Sequence, residues 1–217
     1  DIYDAGTGCQ VRYSTCHYPP AHFTFGGMIG EIANFTPLRL WKSFARALSS
    51  VDALGMIAKT QPKLLAGKRP FFVLIHHISP HPPYLYDRNC RRGFTLNNAR
   101  PASDWSPERL PDFIHETTCL NRDVARTVRA LIARDSGAII VLQSDHGAWF
   151  RMYPYKQTPL SQWPTDVVEE RLAYLNQVRL PDRCRKYVRP DFAEVNTARL
   201  IVACARHEVP AFLPERT

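Results

Sequence analysis

Apolar residues recur every three or four positions in three stretches of this chain and gather into short runs in three others, which separates helices from strands. Leu38, Trp41, Ala45 and Leu48 follow Thr36-Pro37, a capping residue with proline at the first helical position, and predict a helix over 37–49. Phe113, Thr117, Leu120, Val124, Val128 and Leu131 form one face of a long helix from 111 to 135 that stops at Ser136-Gly137. A last helix covers 195–206, with Leu200, Ile201 and Val202 directed inward. The run at 71–75, set off by Gly67-Lys68-Arg69-Pro70, predicts a buried strand ending in His76 and His77. Residues 138–142 predict a second strand, and 172–178 a third that closes before Pro181.

The segments between are as informative. Ser79-Pro80-His81-Pro82-Pro83-Tyr84 cannot be regular structure, because three prolines remove backbone donors and bias their predecessors away from the helical region. Residues 85–110 read as a long polar excursion, 149–164 as an aromatic and proline-rich rim or lid, and 210–217 as an extended tail. Strand, helix, strand is the order of an α/β layer fold. If the strands at 71–75 and 138–142 share one parallel sheet, the groups just past their ends converge on one rim. No internal repeat is visible.

With 217 residues, 45% of them hydrophobic, the chain can bury one sizeable core in one or two domains. No apolar run approaches the roughly 20 residues of a membrane span, so the piece reads as soluble. It opens on Asp1 with no basic-then-apolar leader, and the expectation is a cut N-terminus with sequence missing upstream. A net charge of +8, from 28 Lys and Arg against 20 Asp and Glu, favours anionic partners. Arg183, Arg185, Lys186 and Arg189 form a loose cluster, either a solvated face or a binding patch. No helix-turn-helix, zinc-finger or RNP-like signature accompanies the charge, so nucleic acid is not an expected partner. Cys9, Cys16, Cys90, Cys119, Cys184 and Cys204 contain no C-x-x-C pair, which removes zinc-ribbon and thioredoxin readings. Three disulfides in an oxidising compartment and six buried thiols both fit that count.

Gln143-Ser144-Asp145-His146-Gly147, directly after the second strand, carries the clearest chemistry. Asp145 offers oxygen, His146 offers nitrogen, and Gly147 lets the backbone turn without a Cβ clash. The triplet is either a metal site or a turn in which Asp145 caps amides. His81, held between prolines, is either a positioned group or a surface imidazole.

Taken together, Phe71-Phe72-Val73-Leu74-Ile75-His76-His77-Ile78-Ser79-Pro80-His81-Pro82-Pro83-Tyr84, then Cys119-Leu120-Asn121-Arg122, then Ile139 to Gly147 resemble the sulfatase-like hydrolases and transferases of the alkaline phosphatase superfamily. Glu170 to Asn176 with Leu180-Pro181, and Val195 to Leu200, are similar in order and spacing to the same bacterial group. The specificity lies in the combination, over roughly residues 70–215. The resemblance implies an α/β fold, an alkaline-phosphatase-like sheet flanked by helices and present only in part. Residues 1–69 would be a helical or irregular segment of the same domain, and 70–217 the C-terminal portion of the catalytic domain. It implies that Asp145 and His146 ligate a divalent ion (Mn, Zn, Mg or Ca), that His81 is catalytic and contacts the phosphate or sulfate oxygens near the leaving group, and that His77 is a further substrate contact.

In that family the first metal carboxylate and the nucleophile lie well upstream. Residues 1–69 show no strand ending in an acid, and no C-x-P-x-R pattern surrounds any cysteine. The nucleophile is therefore expected outside this chain, and the fragment alone is expected to be inactive. The family's place is the periplasmic or extracellular face of the cytoplasmic membrane, with the parent chain anchored through its N-terminal region. Disulfides then become plausible, Cys90–Cys119 first and Cys9–Cys16 second. The expected function is a metal-dependent phosphate- or sulfate-ester hydrolase or phosphoryl-group transferase acting on cell-envelope material. The alternative is a non-catalytic basic module that holds anionic glycan or lipid, with a steep salt dependence.

Overall fold

The structure, a computed structural model, describes residues 2–4, 16–17, 54–67, 70–77, 79–82, 84–91, 105–189 and 192–214, the first two by backbone alone. The helix expected over 37–49 and the Cys9–Cys16 pairing lie outside these residues. The chain divides into two compact units, Asp1–Ala130 and Leu131–Thr217. Both mix helix and strand, so the architecture is α/β in its broad sense.

In the first unit β1 (Ile2–Asp4), β2 (Cys16–His17) and β3 (Leu74–His76) form a parallel sheet in the order β2-β1-β3. Its register sets Ile2 opposite Leu74, Tyr3 opposite Ile75 and Asp4 opposite His76. Helix α1 covers 54–66, and α2 is Leu110–Arg134. On α1, Ile57 and Gln61 are buried and Leu54 and Leu64 half-buried, a spacing of three and four residues that gives one inward face. On α2 the buried positions are Glu116, Cys119, Leu120 and Asp123, again one helical stripe. Leu85, Tyr86, Cys119 and Leu120 make the core, with Leu54, Cys90 and Val124 packed against them. The Cys90–Cys119 disulfide, with a Cα separation of 5.3 Å, fastens the loop after the His-Pro segment to α2. Asp87 shapes that loop, its Oδ1 accepting the amides of Asn89 and Arg91 at 2.8 Å each while Cys90 turns through a positive φ of 55°.

In the second unit β4 (Ile140–Gln143) and β5 (Asn176–Arg179) pair antiparallel, Ile140 opposite Arg179 and Gln143 opposite Asn176. Three helices accompany them: α3 (Thr165–Leu172), α4 (Asp182–Arg185) and α5 (Glu194–Arg206). Leu180, Cys184, Leu200 and Cys204 form the core beneath Ile139, Val178, Tyr187, Phe192 and Phe212. A second disulfide, Cys184–Cys204, joins α4 to α5. The α5 terminus closes on His207 in the left-handed conformation, where Glu208 N bonds Ala203 O at 2.8 Å. The buried Asn196 amide exchanges two 2.9 Å bonds with the backbone of Leu213 and so holds the tail.

Several expectations need correction. The strands at 71–75 and 138–142 do not share one parallel sheet: β3 belongs to the three-stranded sheet, and β4 pairs antiparallel with β5. The first strand, Leu74–His76, is shorter than its apolar run, and Phe71, Phe72 and Leu74 are exposed rather than buried. Residues 165–172 are helical up to Leu172, where a strand was expected to start. Asp166 in the first turn and Arg171 in the last suit the helix dipole, and the strand begins only at Asn176. Val202 is 56% exposed, on the outer face of α5. The segment 1–69 is not merely helical or irregular, since it contributes β1 and β2, and β1 ends in Asp4, a strand closing on an acidic residue. The excursion at 85–110 is not simply polar surface, because Leu85, Tyr86, Trp105 and Arg109 are buried.

Candidate metal centre

The loop after β4 is tightly fastened. Ser144 N donates to Leu175 O at 3.0 Å, Leu175 N donates to Ser144 Oγ at 2.8 Å, and Gly147 N donates to Arg171 O at 2.8 Å. Gln143 Nε2 donates to Asn176 Oδ1 and Asn176 Nδ2 to Thr197 Oγ1, both at 3.0 Å, so β4, β5 and α5 share one polar network. Gly147 is where this closure requires glycine: a Cβ there would lie 1.9 Å from Glu170 O and 3.0 Å from Ala173 O.

Within that loop the His146 Nδ1 lies 2.7 Å from Gly147 O. A carbonyl can only accept, which assigns the hydrogen to Nδ1 and leaves Nε2 for another partner. Nε2 faces Asp145 Oδ2 at 3.3 Å, the carboxylate 86% exposed and the imidazole 28% exposed. Two lone-pair-bearing atoms thus face each other at the surface, an arrangement that a shared cation can bridge. Ligand atoms about 2.1 Å from one ion stand about 3.0–3.4 Å apart at octahedral to tetrahedral angles. The pair therefore fits as two ligands of one divalent ion, and its mixed oxygen and nitrogen donors suit Mn²⁺ or Zn²⁺. The Trp149 ring lies 5.8 Å from His146, and the Arg171 guanidinium sits 4.6 Å over that indole.

His77 and His81 belong to the first unit. His81 Nδ1 donates to Pro82 O at 2.8 Å, which again leaves Nε2 as the outward nitrogen, and the ring meets Trp105 edge-on at 5.4 Å. Trp105 in turn packs on Phe113 of α2 at 6.0 Å. His77 Nδ1 donates to Ser79 O at 3.3 Å, which turns that nitrogen into its own loop.

The group that holds the His-Pro loop is Glu116, fully buried on α2. Its Oε2 accepts Leu85 N at 2.8 Å and Tyr86 N at 3.0 Å, and its Oε1 accepts Ser79 Oγ at 3.1 Å. Burial raises its pKa above the ordinary value, and the bonds from Tyr86, Leu85 and Ser79 pull the other way. Asp123, two turns further on, takes the Tyr86 hydroxyl at 2.8 Å. Both acids are missed by a reading that looks for apolar periodicity. Their signal is position, since Glu116 and Asp123 fall on the same stripe as Leu120.

Cys90, His115 and Cys119 bring three potential ligand atoms within 4.8 Å. His115 Nε2 lies 3.6 Å from Cys119 Sγ and 2.5 Å from Asp87 O. The metal ligand is a thiolate, so with the two sulfurs bonded to each other this cluster is a covalent tie rather than a metal centre. Among the described residues no helix is long and apolar enough to cross a membrane. Compared with family models, with curated proteins and with solved structures, the chain finds no match.

Proposed function

We propose that this chain is the C-terminal part of a metal-dependent, sulfatase-like enzyme that hydrolyses a phosphate or sulfate ester, or transfers a phosphoryl group, in the cell envelope. The observation that carries the reading is the convergence of Asp145 Oδ2 and His146 Nε2 at 3.3 Å just past β4, with the other ring nitrogen committed to Gly147 O. A divalent ion bound by this pair would supply Lewis-acid polarisation of the ester and a lowered pKa for the attacking hydroxyl. Asp145 and His146 hold and orient it, and the loop network fixes their geometry. His81, whose Nδ1 is spent on Pro82 O, is assigned its role near the leaving oxygen by the resemblance alone, where a donor would offset developing charge. On this reading the nucleophile belongs to a segment upstream of these residues, and the complete catalytic domain has the alkaline-phosphatase-like sheet. The two disulfides among the described residues suit an oxidising compartment, which supports a place on the periplasmic or extracellular face; the membrane-anchored parent is what the resemblance implies.

The chain alone should be inactive. Joined to the upstream strands that the family supplies, it should cleave an aryl phosphate or aryl sulfate in the presence of Mn²⁺ or Zn²⁺. Asp145→Ala and His146→Ala should each abolish that turnover; undiminished rates in both would reject the assignment.

A further inference from the structure

We infer that Arg171 forms, beside Asp145 and His146, a subsite for a tetrahedral oxyanion, binding the non-bridging oxygens of a phosphate or sulfate group. This deepens the ester reading above and rests on it for the identity of the neighbouring pair.

Placement comes first. Arg171 stands in the last turn of α3, its carbonyl accepting Gly147 N at 2.8 Å, so its backbone is part of the loop that presents Asp145 and His146. Its guanidinium lies 4.6 Å above the Trp149 ring, and Trp149 is itself 5.8 Å from the His146 ring. A cation–π contact with an indole does not consume the guanidinium's N–H donors.

Those donors have little to do. Five N–H groups are present, and among the described residues the hydrogen bond they make is a single long one, from Nη1 to Gly147 O at 3.5 Å. Other arginines of the same unit are bound more fully. Arg179 spans the carbonyls of Ala138 and Ser136, and Arg151 meets the Asp166 carboxylate at 2.8 Å. Arg171 has no carboxylate within ion-pair distance among the described residues; Asp145 acts on it only through its field. The side chain is half-buried, and that burial lowers its pKa from the ordinary value, opposed by Asp145. A half-buried guanidinium with N–H donors to spare is suited to recognise an oxyanion through two oxygens.

Charge balance points the same way. With a divalent ion on Asp145, the ion, the guanidinium and the carboxylate sum to two positive charges, which a phosphate-monoester dianion or a free sulfate dianion matches and a singly charged sulfate ester half-fills. The planar fork then selects the tetrahedral oxygens over a monovalent halide.

The test uses the 217-residue chain, as wild type, Arg171→Gln and Arg171→Lys. Mn²⁺ affinity is read by electron paramagnetic resonance. Inorganic phosphate, inorganic sulfate and methyl phosphate are titrated separately by calorimetry, with and without Mn²⁺. At least one anion should bind wild type, and that anion names the ester class. Arg171→Gln should weaken it tenfold or more while Mn²⁺ affinity holds or tightens, because a like charge has gone. Arg171→Lys should recover part of the loss by keeping the charge without the fork. Equal anion affinity in wild type and Arg171→Gln, or no anion binding to wild type, overturns the subsite. Failure of wild type to bind Mn²⁺ instead rejects the metal reading, and the metal-free titrations still report on Arg171.

Discussion

The buried carboxylate of Glu116 receives the amide of Leu85 at 2.8 Å, and with the amide of Tyr86 on the same oxygen it joins the backbone after the His-Pro segment to α2. Removing that oxygen strands two buried N–H groups. Glu116→Ala should cost about 2–5 kcal/mol in denaturant unfolding. Glu116→Gln keeps an acceptor for both amides and a donor for Ser79 Oγ, and it removes a desolvated charge. The sign with pH follows from the raised pKa. Below the ordinary value of 4.5 the carboxyl is protonated in both states, and as pH rises past it the unfolded chain ionises more readily than the folded one. Wild type should therefore lose stability relative to Glu116→Gln between pH 4 and pH 7. A constant difference across that range would contradict the burial argument.

Gly147 meets the end of α3 too closely for any side chain. Gly147→Ala should destabilise the second unit by about 1–3 kcal/mol or more, because a backbone carbonyl rather than a flexible side chain must give way. Thermal melts and Mn²⁺ binding should suffer together, since the same loop carries Asp145 and His146. A fully stable variant would show that the closure over Glu170 is not required.

Cys90–Cys119 and Cys184–Cys204 close sequence separations of 29 and 20 residues. By chain entropy each should contribute about 3 kcal/mol, lost in Cys90→Ser/Cys119→Ser and in Cys184→Ser/Cys204→Ser respectively. Leu200→Ala, next to the second bridge in the core, should cost about 2–5 kcal/mol more. Mass mapping after alkylation, with and without reductant, checks the pairings directly.

Much of this was legible in the chain. The stripe from Phe113 to Leu131 gave a helix that matches Leu110–Arg134 closely, and Ser136-Gly137 marked its end. The apolar run before Gln143 gave β4, and the prolines around His81 gave a loop. What escaped has physical reasons. Strand partners are set by long-range pairing, so neither the antiparallel β4–β5 ladder nor the β1–β3 register shows in local pattern. Helix α1 was hidden because Gln61 occupies a buried position where periodicity calls for an apolar residue. Asp145 and His146 were visible as a pair, but their placement depends on Gly147 and on the backbone carbonyls of Glu170 and Arg171, whose roles arise only once α3 packs on the loop.

Asp145 Oδ2 faces His146 Nε2 at 3.3 Å, and a carboxylate is a stronger ligand for a hard divalent ion than an amide oxygen. Asp145→Asn should therefore weaken Mn²⁺ binding at fixed pH. Undiminished affinity in that variant would place the ion elsewhere.

The most direct measurement is Mn²⁺ binding to the intact chain by electron paramagnetic resonance, in wild type, Asp145→Asn, His146→Ala and the exposed control His207→Ala. One site per chain is expected, weakened at least tenfold in the first two variants and unchanged in the control. Binding of equal strength in all four proteins would contradict a metal centre at Asp145 and His146.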